Sequence, residues 1–532
     1  MTLTDRAQLA LEADVLVLGG GPADAWAALT AARDGARVVL ADKGYCGTSG
    51  VAATAGVGHW AVPPDEALRA EAMALRTRLG GGLTDPVWQA RVLDETWRRL
   101  EELAKSGYPL AKDDAGRPVL RIGQAPQYMR FMRGLVQKAG VTILDHSPAV
   151  ELLTDPEGVV AGARGLQRQK RRTWEARAGA VVLATGGCTW KSRSLGGDVN
   201  TGDGQLFGAE VGAKLSGMEF SSFFGIVPKA TSMDKNGYFG FATFTREDGS
   251  EIEGQLIGSR APLLKAALAG SVFAQFDRAP GHLRATMRAA MPNFFMVMDK
   301  LGTDPFARRF PIDFVLEGTV RGTGGLKVVD SECWTGVHGL FAAGDTVSRE
   351  LIVGGATGAG APNAAWAVSS GTWAGRAAAR HARVVHGRRS SLVGTGGAGI
   401  RPAKGDGAEG AWREVLRAVQ AETHSIAVNV FRTDERLRGS LVRLERLWRE
   451  VRAFLGGELD EQLRSRECAA MIAMARWAYA SALVRTETRA MHTREDHPAK
   501  DEAQRHRILS GGLDVVWTRV DTGEAVPDRL AS

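Results

Sequence analysis

Ala13-Asp14-Val15-Leu16-Val17-Leu18-Gly19-Gly20-Gly21-Pro22-Ala23-Asp24 decides the fold. A short apolar run rich in β-branched residues is the pattern of a buried strand, and this one breaks directly into glycine. Ala25 to Ala32 then reads as a helix of small residues ending near Gly35, and Arg37 to Ala41 as a second strand closed by Asp42. Strand, glycine turn, helix and strand make the βαβ fingerprint of a dinucleotide site. The glycines let the turn approach a pyrophosphate, and the helix N-terminus offers free N–H groups and a partial positive charge. Asp42 stands where a carboxylate accepts the hydroxyls of an adenosine ribose. One residue departs from the pattern. The third glycine of the fingerprint is Asp24, which predicts looser helix–strand packing and sets a carboxylate beside phosphate.

Downstream, Lys43-Gly44-Tyr45-Cys46-Gly47-Thr48-Ser49-Gly50-Val51-Ala52-Ala53-Thr54-Ala55-Gly56 is too rich in Gly, Ser and Thr for a core segment. It suits a loop whose backbone donors line a flat polar ligand. Strand-like runs recur at Val141–Leu144, Ala149–Leu153, Val159–Arg164 and Ala180–Ala184, the last ending in Thr185-Gly186-Gly187. Gly339 to Asp345 repeats the run into glycine, and Asp345 suits the hydroxyls of a ribityl chain, which a nicotinamide cofactor lacks.

Composition narrows the class. A chain of 532 residues with 44% hydrophobic and 24% charged residues is long enough for several domains and has the balance of a soluble globular protein. Its 67 basic and 60 acidic residues leave +7, spread along the length, which excludes a nucleic-acid footprint and suits an anionic ligand. Cys46, Cys188, Cys333 and Cys468 have no C-x-x-C spacing, so no metal or iron–sulfur site is expected within the chain. No apolar run reaches the roughly 18 residues of a membrane span, and Met1 to Ala13 lacks a signal-peptide pattern. A cytoplasmic location without direct membrane insertion is expected.

The set GGGPA, LADKG, SGVAATAG, VVLATGG, NTGDG and GLFAAGD resembles the FAD-binding domain of the succinate dehydrogenase/fumarate reductase flavoprotein superfamily. Relatives there include L-aspartate oxidase, the adenylylsulfate reductase α subunit and ketosteroid dehydrogenases. Asn200-Thr201-Gly202-Asp203-Gly204 through Met218-Glu219-Phe220, and Arg485 through Pro498, are similar to two further signatures of that superfamily, so the resemblance runs over most of the chain. It implies an α/β protein: a Rossmann-like FAD-binding domain (12–220 plus 328–385), an inserted α+β capping domain (221–327), a Gly/Ser-rich mobile linker (386–410) and a C-terminal helical domain (411–532). The cofactor site it implies comprises Gly19, Gly21, Pro22 and Ala23 at the turn and Asp42 and Lys43 at the second strand end. Thr48, Ser49, Gly50, Ala55 and Gly56 follow in the loop, then Ala184, Thr185, Gly186, Asp203, Gly344, Asp345, Ala361 and Asn363. Ser49 occupies the place of the histidine that bonds flavin in the membrane complexes, so the FAD is expected to be non-covalent.

The substrate grip of that superfamily is broken in this sequence. Phe224 and Val320 stand where carboxylate-binding histidines are expected, and Gly358 where an arginine is expected. Each charge-assisted bond to a carboxylate is worth roughly 1.5–3 kcal/mol, so losing three disfavours a C4 dicarboxylate. Gly258-Ser259-Arg260 resembles the stretch bearing the proton-transferring arginine. Arg260 and Arg321 are the candidate catalytic residues, and Phe223, Phe224, Phe294 and Phe295 the candidate aromatic wall of a larger, partly apolar substrate with one anionic group. The expected activity is hydride transfer between flavin N5 and a small organic molecule. An iron–sulfur or ferredoxin-like protein is a candidate electron partner. The rivals are an adenylylsulfate reductase-like subunit with an iron–sulfur partner and a non-catalytic flavin electron-relay subunit.

Overall fold

Val15, Leu16, Val17 and Leu18 are all fully buried, because the strand they form is covered on both faces. The computed structural model describes residues 8–54, 58–113, 115–120, 122, 124–235, 237–253, 260–357, 361–385, 391–405 and 407–523. β1 (Leu9–Leu18), β2 (Val38–Ala41), β3 (Thr142–Leu144), β4 (Ala149–Thr154), β5 (Val160–Gln167) and β6 (Arg172–Leu183) share one sheet with Leu340–Ala342 and Val393–Gly394. β1 runs parallel to β2 and β6, β2 to β3, and β6 to Leu340–Ala342, whereas β4, β5 and β6 form an antiparallel meander. The register sets Leu18 beside Ala41 and Leu183, and Leu183 beside Ala342. Four strands therefore end together and release their loops on one side, where parallel sheets bind ligands.

Helix α1 (Pro22–Arg33) follows β1 and is buried from Ala23 to Ala31. It crosses the helix Ala361–Val384 at close range. A Cβ on Gly371 would lie 2.3 Å from the Ala23 carbonyl oxygen, and one on Gly375 would lie 2.2 Å from that of Ala27. These glycines let the two helices approach closely.

The inserted region builds a four-stranded antiparallel sheet from Phe224–Pro228, Phe310–Leu316, Val272–Gln275 and Thr243–Arg246, in that order. Its core is largely phenylalanine. Phe294 and Phe295 lie in it with ring centroids 5.3 Å apart, and Phe294 stacks on Phe276 at 5.5 Å. Phe224 pairs with Leu316 in the sheet. The aromatic substrate wall expected from these side chains is therefore mostly the interior of the cap.

Residues 391–405, expected to belong to a mobile linker, are held down. Val393–Gly394 pairs with β4, Ala398 and Ile400 are buried, and Arg401 binds both oxygens of Glu151 at 2.8 and 2.9 Å. Residues 386–390 and 406 of that stretch lie outside the described residues. The helices Trp412–Thr423, Asp434–Phe454 and Leu459–Val484 follow. Beyond Val484 the C-terminal region departs from the expected helical character. Ile508–Gly511 pairs with Leu215–Ser216, and Arg485, Arg489, Glu487 and Glu219 form a fully buried ion lattice that fastens this region to the rest. Among the described residues no helix is long and apolar enough to cross a membrane.

Candidate functional site

The loops leaving Leu18, Ala41, Leu183 and Ala342 surround a cleft of about 1270 Å³, open at its mouth. Lined from four strand ends at once, it suits an extended ligand. Gly19, Gly21, Pro22, Ala23, Asp42, Lys43, Ser49, Gly50, Ala184, Thr185, Gly186, Asp203, Gly344, Asp345 and Asn363 all line it, as does Arg321. Thr48 does not. It is exposed, with its hydroxyl turned to the Tyr45 carbonyl. Ala361 does not line it either; its carbonyl accepts the Trp60 N–H at 3.0 Å. Ala55 and Gly56 lie outside the described residues.

The floor of the cleft is made by close backbone approach. Gly20 abuts Asp42, whose Oδ2 would be 2.2 Å from a Cβ there, and Gly186 abuts the Asn200 amide at the same distance. Asp42 is buried, which pushes its carboxyl above the usual range, and it accepts the Ser49 hydroxyl at 2.7 Å. Lys43 is not free to meet a ligand with its ammonium. Its Nζ donates to Thr201 Oγ1 at 2.7 Å and Asp203 Oδ2 at 2.8 Å, and stands 2.7 Å from Glu467 Oε1. A lysine ammonium has three N–H donors, and all three are taken. Lys43 therefore ties the second strand end to the helix Leu459–Val484. Asp24 Oδ1, Asn200 Oδ1 and Asn363 Oδ1 are buried acceptors in the cleft wall without a protein partner.

The opposite wall comes from the cap and its return strand. Arg321 lines the cleft and its Nε lies 3.4 Å from Glu317 Oε2. The same carboxylate oxygen accepts Lys235 Nζ at 2.5 Å, and Lys235 also donates to Asp234 Oδ2 at 2.7 Å and Ser194 Oγ at 2.9 Å. Burial by itself would raise Glu317, but the Lys235 and Arg321 charges outweigh it and hold the carboxyl below its usual range. Arg349 is fully buried behind this wall. It pairs with Asp345 and donates to the Thr319, Val320 and Gly322 carbonyls, fixing the loop that bears Arg321.

Arg260 stands behind this wall, near Glu317 and Arg321. Its guanidinium lies 4.5 Å from the Phe223 ring centroid and donates to the Phe224 carbonyl, and it is absent from the cleft lining. Burial pushes it down to about 10. Gly258 and Ser259, which carried its resemblance, lie outside the described residues. Lys235 and Glu317 were not read as functional from the sequence. Neither lies in a motif, and only the cap's return to the cleft brings them beside Arg321.

Two family models match this chain: one described as FAD binding domain over residues 14–238, and one described as fumarate reductase flavoprotein C-term over residues 421–511. By these two matches the chain is a flavoprotein similar to the succinate dehydrogenase/fumarate reductase flavoproteins. Among curated relatives, the flavoprotein is 31% identical over 234 residues to an L-aspartate oxidase of Halobacterium salinarum, covering 40% of this chain and 45% of the relative. It is 30% identical over 242 residues to one of Streptomyces coelicolor, covering 40% of each. It thus spans under half the length of these relatives.

In fold it is similar to E. coli quinol fumarate reductase FrdA, with a TM-score of 0.79 at 19% identity over 98% of this chain and 99% of the other. It is similar also to adenylylsulfate reductase from Archaeoglobus fulgidus, with a TM-score of 0.76 at 17% identity over 99% and 97%. The cofactor of the flavoprotein is FAD. The cleft fits it: glycine-floored strand ends for a dinucleotide, and unpartnered acceptors on Asn200 and Asn363 for a ligand with its own N–H and O–H donors.

Proposed function

We propose that this flavoprotein is an FAD-dependent oxidoreductase acting on a monoanionic, partly apolar organic substrate, with Arg321 as the proton-transferring group. In this reading Gly19, Gly21 and Ala23 hold the pyrophosphate, Asp42 the adenosine ribose and Asp345 the ribityl chain. Asn200 and Asn363 are further polar contacts. When bound, the flavin supplies two-electron chemistry at N5. The chain's own residues orient the substrate and manage its proton.

The observation that carries the reading is the Arg321–Glu317 pair on the cleft wall. A free guanidinium is too weak an acid to give up a proton unless a base or an altered environment assists. Glu317, kept ionised by Lys235 and Arg321, supplies the altered environment, a carboxylate 3.4 Å away that holds the guanidinium at the cleft wall. Arg260 lies behind the wall and adds positive charge near Glu317, so it acts as a positioning residue rather than at the reacting atoms.

Charge accounting favours a single anionic group. Lys43 and Lys235 have all three donors occupied, and Arg349 is turned onto Asp345 and carbonyls. Among the described residues, Arg321 is the cleft cation that retains donors for a substrate. Val320, also in the lining, stands where a carboxylate-binding histidine was expected. A side groove shares Lys235 with the cleft and is walled by Pro126, Leu195, Met233, Met291 and Pro292, with only the edge of the core ring Phe294 reaching it. It suits the apolar body of the substrate.

The four cysteines are buried and dispersed, so electrons are proposed to pass to a separate iron–sulfur protein, as in the adenylylsulfate reductase-like alternative. Anaerobic photoreduction followed by a substrate panel tests the whole reading. Reoxidation by a monoanionic acceptor with an apolar body, and not by fumarate, is the expected result. Rapid reoxidation by fumarate would refute the substrate class. Reoxidation by an iron–sulfur protein and by no small molecule would favour a relay subunit.

A further inference from the structure

Asp24 is where this chain leaves the glycine pattern, and its setting is specific. The side chain is 1% exposed and lines the cleft. Its Oδ2 accepts the Gly21 N–H at 2.9 Å, an amide that a helix N-terminus would otherwise present to an anion. Pro22 next to it has no N–H to offer instead. Its Oδ1 fills the crook of the turn, 2.1 Å from where a Cβ on Gly19 would stand, and has no partner.

The groups packed around Asp24 supply no counter-charge. The end of β2 contributes Asp42, and the loop after it contributes the buried Cys46 thiol, which burial and the two carboxylates push up. The end of β6 presents Ala184 and the helix Ala361–Val384 presents Ala367 to the same cleft, both uncharged, and the cation beyond Cys46, Arg133, is paired with Asp145. Burial and the Asp42 charge move the Asp24 carboxyl well above the usual carboxylate range.

We propose that FAD binds with Asp24 protonated, its carboxylic O–H donating to the pyrophosphate in place of the amide that Asp24 itself occupies, so that cofactor capture takes up one proton. The proton comes from solvent and stays on Asp24; no bond to the cofactor forms. Binding a phosphate anion raises the Asp24 pKa further above its value in the empty cleft. Between those two values affinity falls by up to about tenfold per pH unit as the pH rises, and below the lower one it is flat. The inference rests on the FAD assignment and is independent of the substrate.

The test is FAD titration of the full chain stripped of cofactor, read by flavin fluorescence across neutral and alkaline pH. Isothermal calorimetry in two buffers of different ionisation enthalpy accompanies it. Wild-type protein is expected to lose affinity with rising pH and to take up a proton. Asp24→Asn keeps an acceptor for Gly21 and offers N–H to the phosphate, so its affinity should be flat with pH and at least tenfold tighter than wild type at the alkaline end. Asp24→Gly should also take up no proton. Parallel pH profiles for wild type and Asp24→Asn, or wild-type binding without proton uptake at every pH from neutral to alkaline, would overturn the proposal. If a variant does not fold, calorimetry on the wild-type chain still overturns the proposal when no proton is taken up across that range. Failure of every form to bind FAD at any pH would instead overturn the cofactor assignment.

Discussion

Lys43 and Glu467 form a buried ion pair with Nζ 2.7 Å from Oε1, joining the second strand end of the cofactor cleft to the last long helix. Glu467 also lies 3.0 Å from Lys191 Nζ and 2.9 Å from Arg464 Nη1. Although burial alone would raise it, these cations hold its carboxyl far below the usual range, so it remains ionised in the fold.

Removing that carboxylate leaves buried cations unpaired. Glu467→Gln is expected to cost about 3–5 kcal/mol in urea unfolding, the usual loss when one partner of a buried pair is deleted. The sign of the pH effect follows from the depressed pKa. Glu467 stabilises the fold above the ordinary carboxylate range and loses that contribution as pH falls toward its lower folded value. The variant should therefore show a shallower acid limb in a stability–pH profile.

Glu350 gives the opposite dependence. Burial and the nearby Glu219 charge raise its carboxyl to about 7, and its Oε1 has no partner. The folded state thus prefers the protonated form, and stability declines as pH rises from the ordinary carboxylate range through about 7. Glu350→Gln, which still accepts the Ser216 hydroxyl, should flatten this decline. Thermal melts on the two sides of neutrality measure it; an unchanged decline in the variant would contradict the assignment.

Arg321→Ala should lower turnover by about 10²–10⁴-fold, the usual contribution of a positioned proton donor, while the bound flavin spectrum stays unchanged. Arg321→Lys should recover little, because an ammonium lacks the planar fork that reaches both Glu317 and a substrate. Arg260→Ala should reduce turnover less than Arg321→Ala. Steady-state kinetics beside absorbance spectra of each variant separates the two arginines.

Gly371→Ala forces a methyl group against the Ala23 carbonyl oxygen, 2.3 Å away. Overpacking of this kind costs about 1–3 kcal/mol. Because Ala23 lines the cleft, FAD affinity should fall together with the melting temperature, as followed by flavin release on heating.

The sequence by itself determined the nucleotide half of the protein. Strand, glycine turn and helix are local, and their residues, Leu18 to Asp24 and Asp42, carry the pattern within a few tens of positions. The strand ends at Thr185 and Gly344 are legible for the same reason. Tertiary structure alone decided the rest. Lys43 looks like a ligand contact in sequence, but its ammonium is consumed by Thr201, Asp203 and Glu467 from distant segments. Phe294 and Phe295 look like a substrate wall, but the cap needs them as its core. Arg260 carried the motif, yet Arg321 faces the cleft with Glu317 and Lys235 beside it. The physical reason is range: backbone geometry at a turn is written in adjacent residues, whereas the direction and partners of a charged side chain depend on which remote elements fold back against it.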